Sequence, residues 1–182
     1  MDLLFYLAMV MIPTFLGFRE LPERFRSLCR GCKGFLYSPI AFMIGLFTLT
    51  ISIYAADMFS FLKWGLLGYN IVAFPLMDSS AEAGTTDLFA QILSFAFLFV
   101  SMLAMMLLNF WEEKYFRASY NLMAIWTFIH LIMGTTLYAL PPIFCQGLVF
   151  KHVYDKYSVD HSYAAHFGTN IMFVLLAFLL PY

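Results

Sequence analysis

Long runs without a single charged side chain constrain this chain more than any other feature. Residues 88–111 form such a run, and 35–56 and 161–180 also contain no Asp, Glu, Lys or Arg. A helix needs about 20 apolar residues to cross a bilayer. Only 12% of the 182 residues are charged, whereas soluble proteins average about 25%. The sequence therefore predicts a single integral membrane domain over residues 1–182.

The predicted fold is all-α, a polytopic transmembrane helical bundle with six or seven membrane helices. The predicted membrane segments are 3–18, 35–56, 61–77, 88–111, 119–140, 142–157 and 161–180. The segment 61–77 is the weakest, because lysine, glycine, asparagine and proline interrupt it. It either crosses the bilayer or re-enters it. Pro141 and Pro142 are expected to close the helix over 119–140, since proline cannot continue a helix.

The loop after the first segment is the most basic part of the chain. Half of all Lys and Arg residues lie within 19–34, and the positive-inside rule places such a loop in the cytoplasm. Apolar residues alternate with arginines there, which predicts a short interfacial helix. Asp2 stands where a cleavable signal would carry basic residues, so 3–18 is expected to be a retained span.

Neither a metal, a cofactor nor a nucleic acid is expected as a partner. The net charge is −1, whereas nucleic-acid binders carry a basic face. Cys29 and Cys32 form a lone C-x-x-C, and no second cysteine pair or nearby histidine pair completes a tetrahedral zinc site. We interpret both cysteines as ordinary loop residues.

Two adjacent carboxylates follow directly on the apolar run 88–111. Ionisable side chains at a membrane span are costly and indicate functional sites. Glu113 and Arg117 are four residues apart, so on a helix they share a face and can pair. Glu112 points about 100° away from Glu113 and can face a cavity. The simpler interpretation is a charged helix end at the water interface.

Two imidazoles and an amide accompany these carboxylates. His130 lies in the middle of a predicted span, and His166 and Asn170 project from one face of the last span. The simpler interpretation is that each side chain makes one hydrogen bond between helices. Together with Glu112 they provide a base, an acid and an oxyanion donor, which suits hydrolysis of an amide by activated water.

Three motifs in this region resemble those of a known protein family. The first, Glu112-Glu113-x-x-x-Arg117, matches the E-E-x-x-x-R motif of the CPBP family, the glutamic intramembrane proteases that include the type II CAAX prenyl protease. The resemblance implies that Glu112 activates the attacking water. It also implies that Glu113 and Arg117 form a supporting ion pair.

The other two motifs follow in the family's order. His166-x-x-x-Asn170 matches H-x-x-x-N, and Trp126-x-x-x-His130 stands where the family has F-x-x-x-H. The resemblance implies that His130 assists Glu112. It implies that His166 and Asn170 position the scissile carbonyl and hold the oxyanion, with no metal.

The resemblance covers about residues 109–174, and the preceding half matches only as apolar helices. It implies an intramembrane endopeptidase that acts on a peptide or protein substrate, either free or membrane-anchored. Two other functions are open. One is a non-catalytic scaffold or immunity factor with the same fold, and the other is a small proton-coupled transporter. A transporter would more often show two related halves with broken helices, and no such symmetry is visible.

Overall fold

A computed structural model describes residues 11–12, 14–66 and 87–179. Every regular element in these ranges is helical, which confirms the all-α prediction. Residues 11–12 and 14–17 are helical. The α-helices with both ends inside the described ranges are α1 (Leu21–Arg30), α2 (Ser38–Met58), α3 (Leu88–Phe116), α4 (Tyr120–Ile129), α5 (Leu140–Lys156) and α6 (Val159–Leu179). Of the predicted segments, most of 3–18 and most of 61–77 lie outside the described residues.

Two helices in the described ranges are long and apolar enough to cross a membrane. They are α3, with 29 residues, and α2 extended by the preceding 3-10 turn, Cys32–Met58, with 27 residues. The predicted span 35–56 therefore corresponds to α2, and 88–111 corresponds to α3. The predicted short helix in the basic loop is also present as α1.

The packing of α2 places small side chains inside and large apolar ones outside. Its buried residues are Ser38, Ala41, Gly45, Ser52 and Ala56. Its exposed large apolar residues are Ile40, Met43, Phe47, Ile51, Ile53, Tyr54 and Met58. Small residues let helix backbones approach closely, which is how helices associate in lipid. An exposed apolar surface of this kind is unusual in a soluble monomer.

The prediction of one helix over 119–140 is wrong. Helix α4 ends at Ile129, residues 130–134 form turns, and Gly134 has a positive φ of 84°. A helix of ten residues rises only about 15 Å, half of the hydrocarbon thickness. Pro141 and Pro142 lie in the first turn of α5. They begin that helix instead of closing the previous one, because backbone N–H groups in the first turn have no carbonyl partner within the helix, so proline loses no hydrogen bond there.

Helix α6 contacts α1, α2, α3 and α5 and forms the centre of the described fold. The turn between α1 and α2 packs directly on the start of α6. A Cβ atom on Gly34 would lie 1.9 Å from the His161 carbonyl oxygen, so only glycine fits there. Tyr163, Ala164 and Ala165 have no exposed surface. This central position lets α6 carry polar side chains to the ends of its neighbours.

Candidate active site

The buried ion pair expected at the end of α3 is formed. Neither Glu113 nor Arg117 has any exposed surface. The Arg117 Nε group donates to both Glu113 carboxylate oxygens, at 3.0 and 3.2 Å. Its Nη2 lies 3.0 Å from Oε1 without the alignment of a hydrogen bond. The guanidinium carbon lies 3.9 Å from the centre of the Trp126 ring, so cation–π attraction supplements the ion pair.

His166 lies between the two adjacent carboxylates of α3. Its Nδ1 is 2.8 Å from Glu113 Oε1, and its Nε2 is 3.7 Å from Glu112 Oε2. The ring stacks on Phe150, with 4.5 Å between the centroids. Because an ionised carboxylate can only accept, Nδ1 carries the proton of this bond. The contact with Glu113 therefore orients the ring so that Nε2 points toward Glu112, and in the neutral imidazole Nε2 carries no proton.

The two carboxylates differ in their access to water. The Glu112 side chain is 24% exposed, whereas that of Glu113 is fully buried. Glu113 is also bound by a guanidinium, an imidazole and a hydroxyl. Of the two carboxylates, Glu112 is therefore the one in contact with water.

Ser162 belongs to this site and was missed from the sequence. Its hydroxyl is hydrogen-bonded to Glu113 Oε2 and lies 2.8 Å from the Phe150 carbonyl oxygen. One hydroxyl proton can serve only one of these two acceptors at a time. The spacing of Ser162 and His166, four residues apart on one helix, is the signal that could have identified it.

Asn170 makes a second polar contact between α3 and α6. Its Nδ2 donates to Oδ1 of Asn109 at 3.2 Å. Asn109 is 4% exposed, and its own Nδ2 finds no hydrogen-bond partner among the described residues. Asn109 was also missed from the sequence, although it lies one turn before Glu113. The Asn170 amide thus lies one helical turn after His166 and contacts α3, as His166 does.

His130 occupies a different position from the one predicted. It lies in the turn directly after α4, not in the middle of a span, because the helix ends one residue earlier. Its Nδ1 is 2.9 Å from the Trp126 carbonyl oxygen. The Trp126 ring lies edge-on to both imidazoles, 4.6 Å from His130 and 5.8 Å from His166.

The cysteines lie apart from this site. Cys29 and Cys32 are exposed, and their thiols are free. Within 11–12, 14–66 and 87–179, no group of three or more metal-ligating side chains converges. Helices α3 and α6 bring both carboxylates to His166 and bring Asn109 to Asn170.

Comparisons with known proteins return no match. No family model, no curated protein and no solved structure is significantly similar to this chain. The likeness to glutamic intramembrane proteases therefore rests on the three short motifs and their order.

Proposed function

We propose that this chain is an intramembrane endopeptidase of the CPBP type that hydrolyses a peptide bond with water activated by Glu112. One observation carries the proposal. Glu113 orients the buried His166 so that its Nε2 faces the partly exposed Glu112, 3.7 Å away. An accessible carboxylate beside an oriented imidazole is the arrangement that activated-water hydrolysis needs.

The proposed reaction begins when the Glu112 carboxylate takes a proton from water and the resulting hydroxide attacks the scissile carbonyl. One N–H of Asn170 is used by Asn109, and its second N–H is available to the oxyanion. His166 donates from Nε2 to the oxyanion only as an imidazolium, because its Nδ1 proton is directed to Glu113. Collapse of the tetrahedral intermediate returns the proton from Glu112 to the leaving amine.

The proposed setting is a multi-pass membrane protein with six or seven membrane helices. Helices α2 and α3 are long enough to span, and α6 has 21 residues. Phe47, Tyr54, Phe95 and Phe99 are each more than half exposed on these helices, which suits lipid contact. Polar groups at membrane depth are tolerated where they line a water-filled cavity. The partners are then membrane lipid and a peptide or protein substrate, free or membrane-anchored.

The test is cleavage of a peptide library by the purified protein in mild detergent, with and without a chelator. We expect Glu112→Gln to lower the rate by at least about 100-fold, the contribution of a general base. Asp57→Asn is the matched control, because Asp57 is an exposed carboxylate that pairs with Lys63. The control should cleave at the wild-type rate, and chelation should leave the rate unchanged.

Cleavage that persists in Glu112→Gln would rule out Glu112 as the base. Cleavage abolished by the chelator would instead indicate a metalloprotease. Helical content and thermal stability must match between the variants, so that loss of activity is separate from loss of fold.

A second proposed function is a non-catalytic scaffold or immunity factor. The 3.7 Å separation of Glu112 and His166 is longer than a hydrogen bond, and Asn109 already uses part of the Asn170 amide. A wild-type protein that cleaves no peptide but retains a stable binding partner would favour this function.

A further inference from the structure

A groove of about 410 Å³ runs between α2 and α5, away from the candidate active site. Ile40 and Ile44 line it from α2, and Cys145, Leu148 and Val149 line it from α5. These side chains are apolar, and Ile40 and Leu148 are exposed at 50% and 38%. The groove therefore offers an apolar track along the lipid-facing side of the two helices.

One end of the groove is polar and carries positive charge. The groove ends at Tyr37 and His152, whose rings are 6.4 Å apart. Lys156 Nζ lies 3.4 Å from the Tyr37 hydroxyl. The Tyr37 hydroxyl lies 3.1 Å from that of Tyr157. The groove thus changes from aliphatic to aromatic and cationic along its length.

A second cation, Lys33, lies near this end. It is exposed in the 3-10 helix Cys32–Tyr37, four residues before Tyr37. Among the ion pairs of the described residues, none includes Lys33 or Lys156. The carboxylate nearest in sequence, Asp155, is bound by Lys151, with Nζ 2.6 Å from its Oδ2. Two exposed ammonium groups are therefore available to an anion.

We propose that this groove is a binding site for an anionic phospholipid. One acyl chain lies along the apolar track, and the phosphate lies between Lys33 and Lys156. Juxtamembrane lysines attract anionic headgroups, and tyrosines such as Tyr37 and Tyr157 favour the headgroup level of a bilayer. The predicted cytoplasmic side of 19–34 is also the side on which anionic lipids are concentrated. The inference rests on the membrane location proposed above and not on peptidase activity.

Cys145 provides a reporter inside the groove, because its thiol is free and partly buried there. Replacing the exposed Cys29 and Cys32 by serine leaves Cys145 as the thiol to be labelled. The experiment measures the rate of Cys145 alkylation by a maleimide in detergent micelles. Phosphatidylglycerol or phosphatidylcholine with identical acyl chains is titrated into the micelles.

We expect the lipid concentration that halves the alkylation rate to be lower for phosphatidylglycerol than for phosphatidylcholine. The ratio of the two concentrations should be about fivefold for each lysine involved. Lys33→Gln with Lys156→Gln should remove this preference. Lys63→Gln, an exposed lysine outside the groove, should retain it. Leu148→Trp should fill the groove and abolish protection by both lipids, whereas Ile53→Trp on the exposed surface of α2 should not.

Three outcomes would overturn the proposal. Equal protection by the two lipids would mean that the headgroup is not recognised. A preference that survives the double lysine replacement would place the headgroup elsewhere. Equal protection by water-soluble glycerol phosphate would show that no acyl chain occupies the groove. The lysine variants replace exposed side chains, so a loss of fold is not expected to mask the result.

Discussion

Two polar networks connect α6 to other helices, and they differ in burial more than in composition. The buried network consists of Glu113, Arg117, Ser162 and His166 and joins α6 to α3. The surface network consists of Glu23, Ser27, Arg30 and Asp160 and joins α6 to α1. Each contains one arginine and one serine that binds a carboxylate. The Arg117 side chain is fully buried, whereas the Arg30 side chain is 54% exposed.

The difference in burial indicates that only one of the two networks can be explained by its contribution to stability. An exposed pair forms at little cost and contributes little, about 0–1 kcal/mol. A buried pair must offset the desolvation of two charges, and apolar replacements of both partners are often neutral or stabilising. The surface network is therefore accounted for as a helix contact. The buried network is better accounted for by the orientation that it imposes on His166.

The largest effect is expected from Arg117→Met, which leaves the Glu113 carboxylate buried without its cation. We expect a loss of about 3–5 kcal/mol in the free energy of unfolding, measured by denaturant titration in detergent with circular dichroism. The double variant Glu113→Leu with Arg117→Met should recover much of this loss but not the proposed peptidase activity. A single-variant loss below about 1 kcal/mol, as for a surface pair, would contradict the contrast between the networks.

A smaller effect is expected from Ser162→Ala, which removes one donor from the buried Glu113. Leaving a buried acceptor short of a hydrogen bond costs about 1–3 kcal/mol, measurable in the same titration. Ser101→Ala is the matched control, since Ser101 is buried on α3 and its hydroxyl has no hydrogen-bond partner in the part of the chain that the structure describes. The control should unfold at the wild-type midpoint or above it. Equal losses in the two variants would mean that the Ser162 contact adds nothing.

The surface network should respond weakly. We expect Asp160→Asn to lower the free energy of unfolding by about 0.2–1 kcal/mol, because Arg30 remains solvated when it loses this partner. Glu23→Gln, which alters a half-exposed carboxylate of the network, should leave the unfolding midpoint unchanged. If Asp160→Asn cost as much as Arg117→Met, burial would not be what separates the two networks.

The pH dependence of the surface network gives the finest test. Burial raises the pKa of the Asp160 carboxyl, but hydrogen bonds from Arg30 and Ser27 outweigh it and hold the pKa below its ordinary value of 3.8. A carboxyl with a lowered folded pKa stabilises the fold above its unfolded pKa, and that stability is lost as the pH falls through the folded pKa. The stability difference between wild type and Asp160→Asn should therefore be constant above pH 3.8 and shrink below it. A difference that shrank instead toward alkaline pH would contradict this assignment.

Local spacing was sufficient to predict part of the candidate site. The Glu113–Arg117 pair follows from four residues of separation on one helix, and its geometry needs no information from the rest of the chain. The position of His130 could not be predicted in this way. The apolar sequence continues past Ile129, but the chain leaves the helix there and turns with Gly134 at positive φ. A hydropathy profile cannot detect such a turn, because leucine and isoleucine have the same hydropathy in a helix and in a turn.

The sequence by itself determined the all-α class, the approximate positions of α2 and α3, and the Glu113–Arg117 pair, because hydropathy and helical periodicity are local properties. Only the tertiary structure decided that His166 meets Glu113, and that Asn170 meets Asn109. These contacts join residues 53 and 61 positions apart, so they depend on how α3 and α6 cross. Helix crossings are set by the fit of small and large side chains over whole faces, and no single motif encodes that fit.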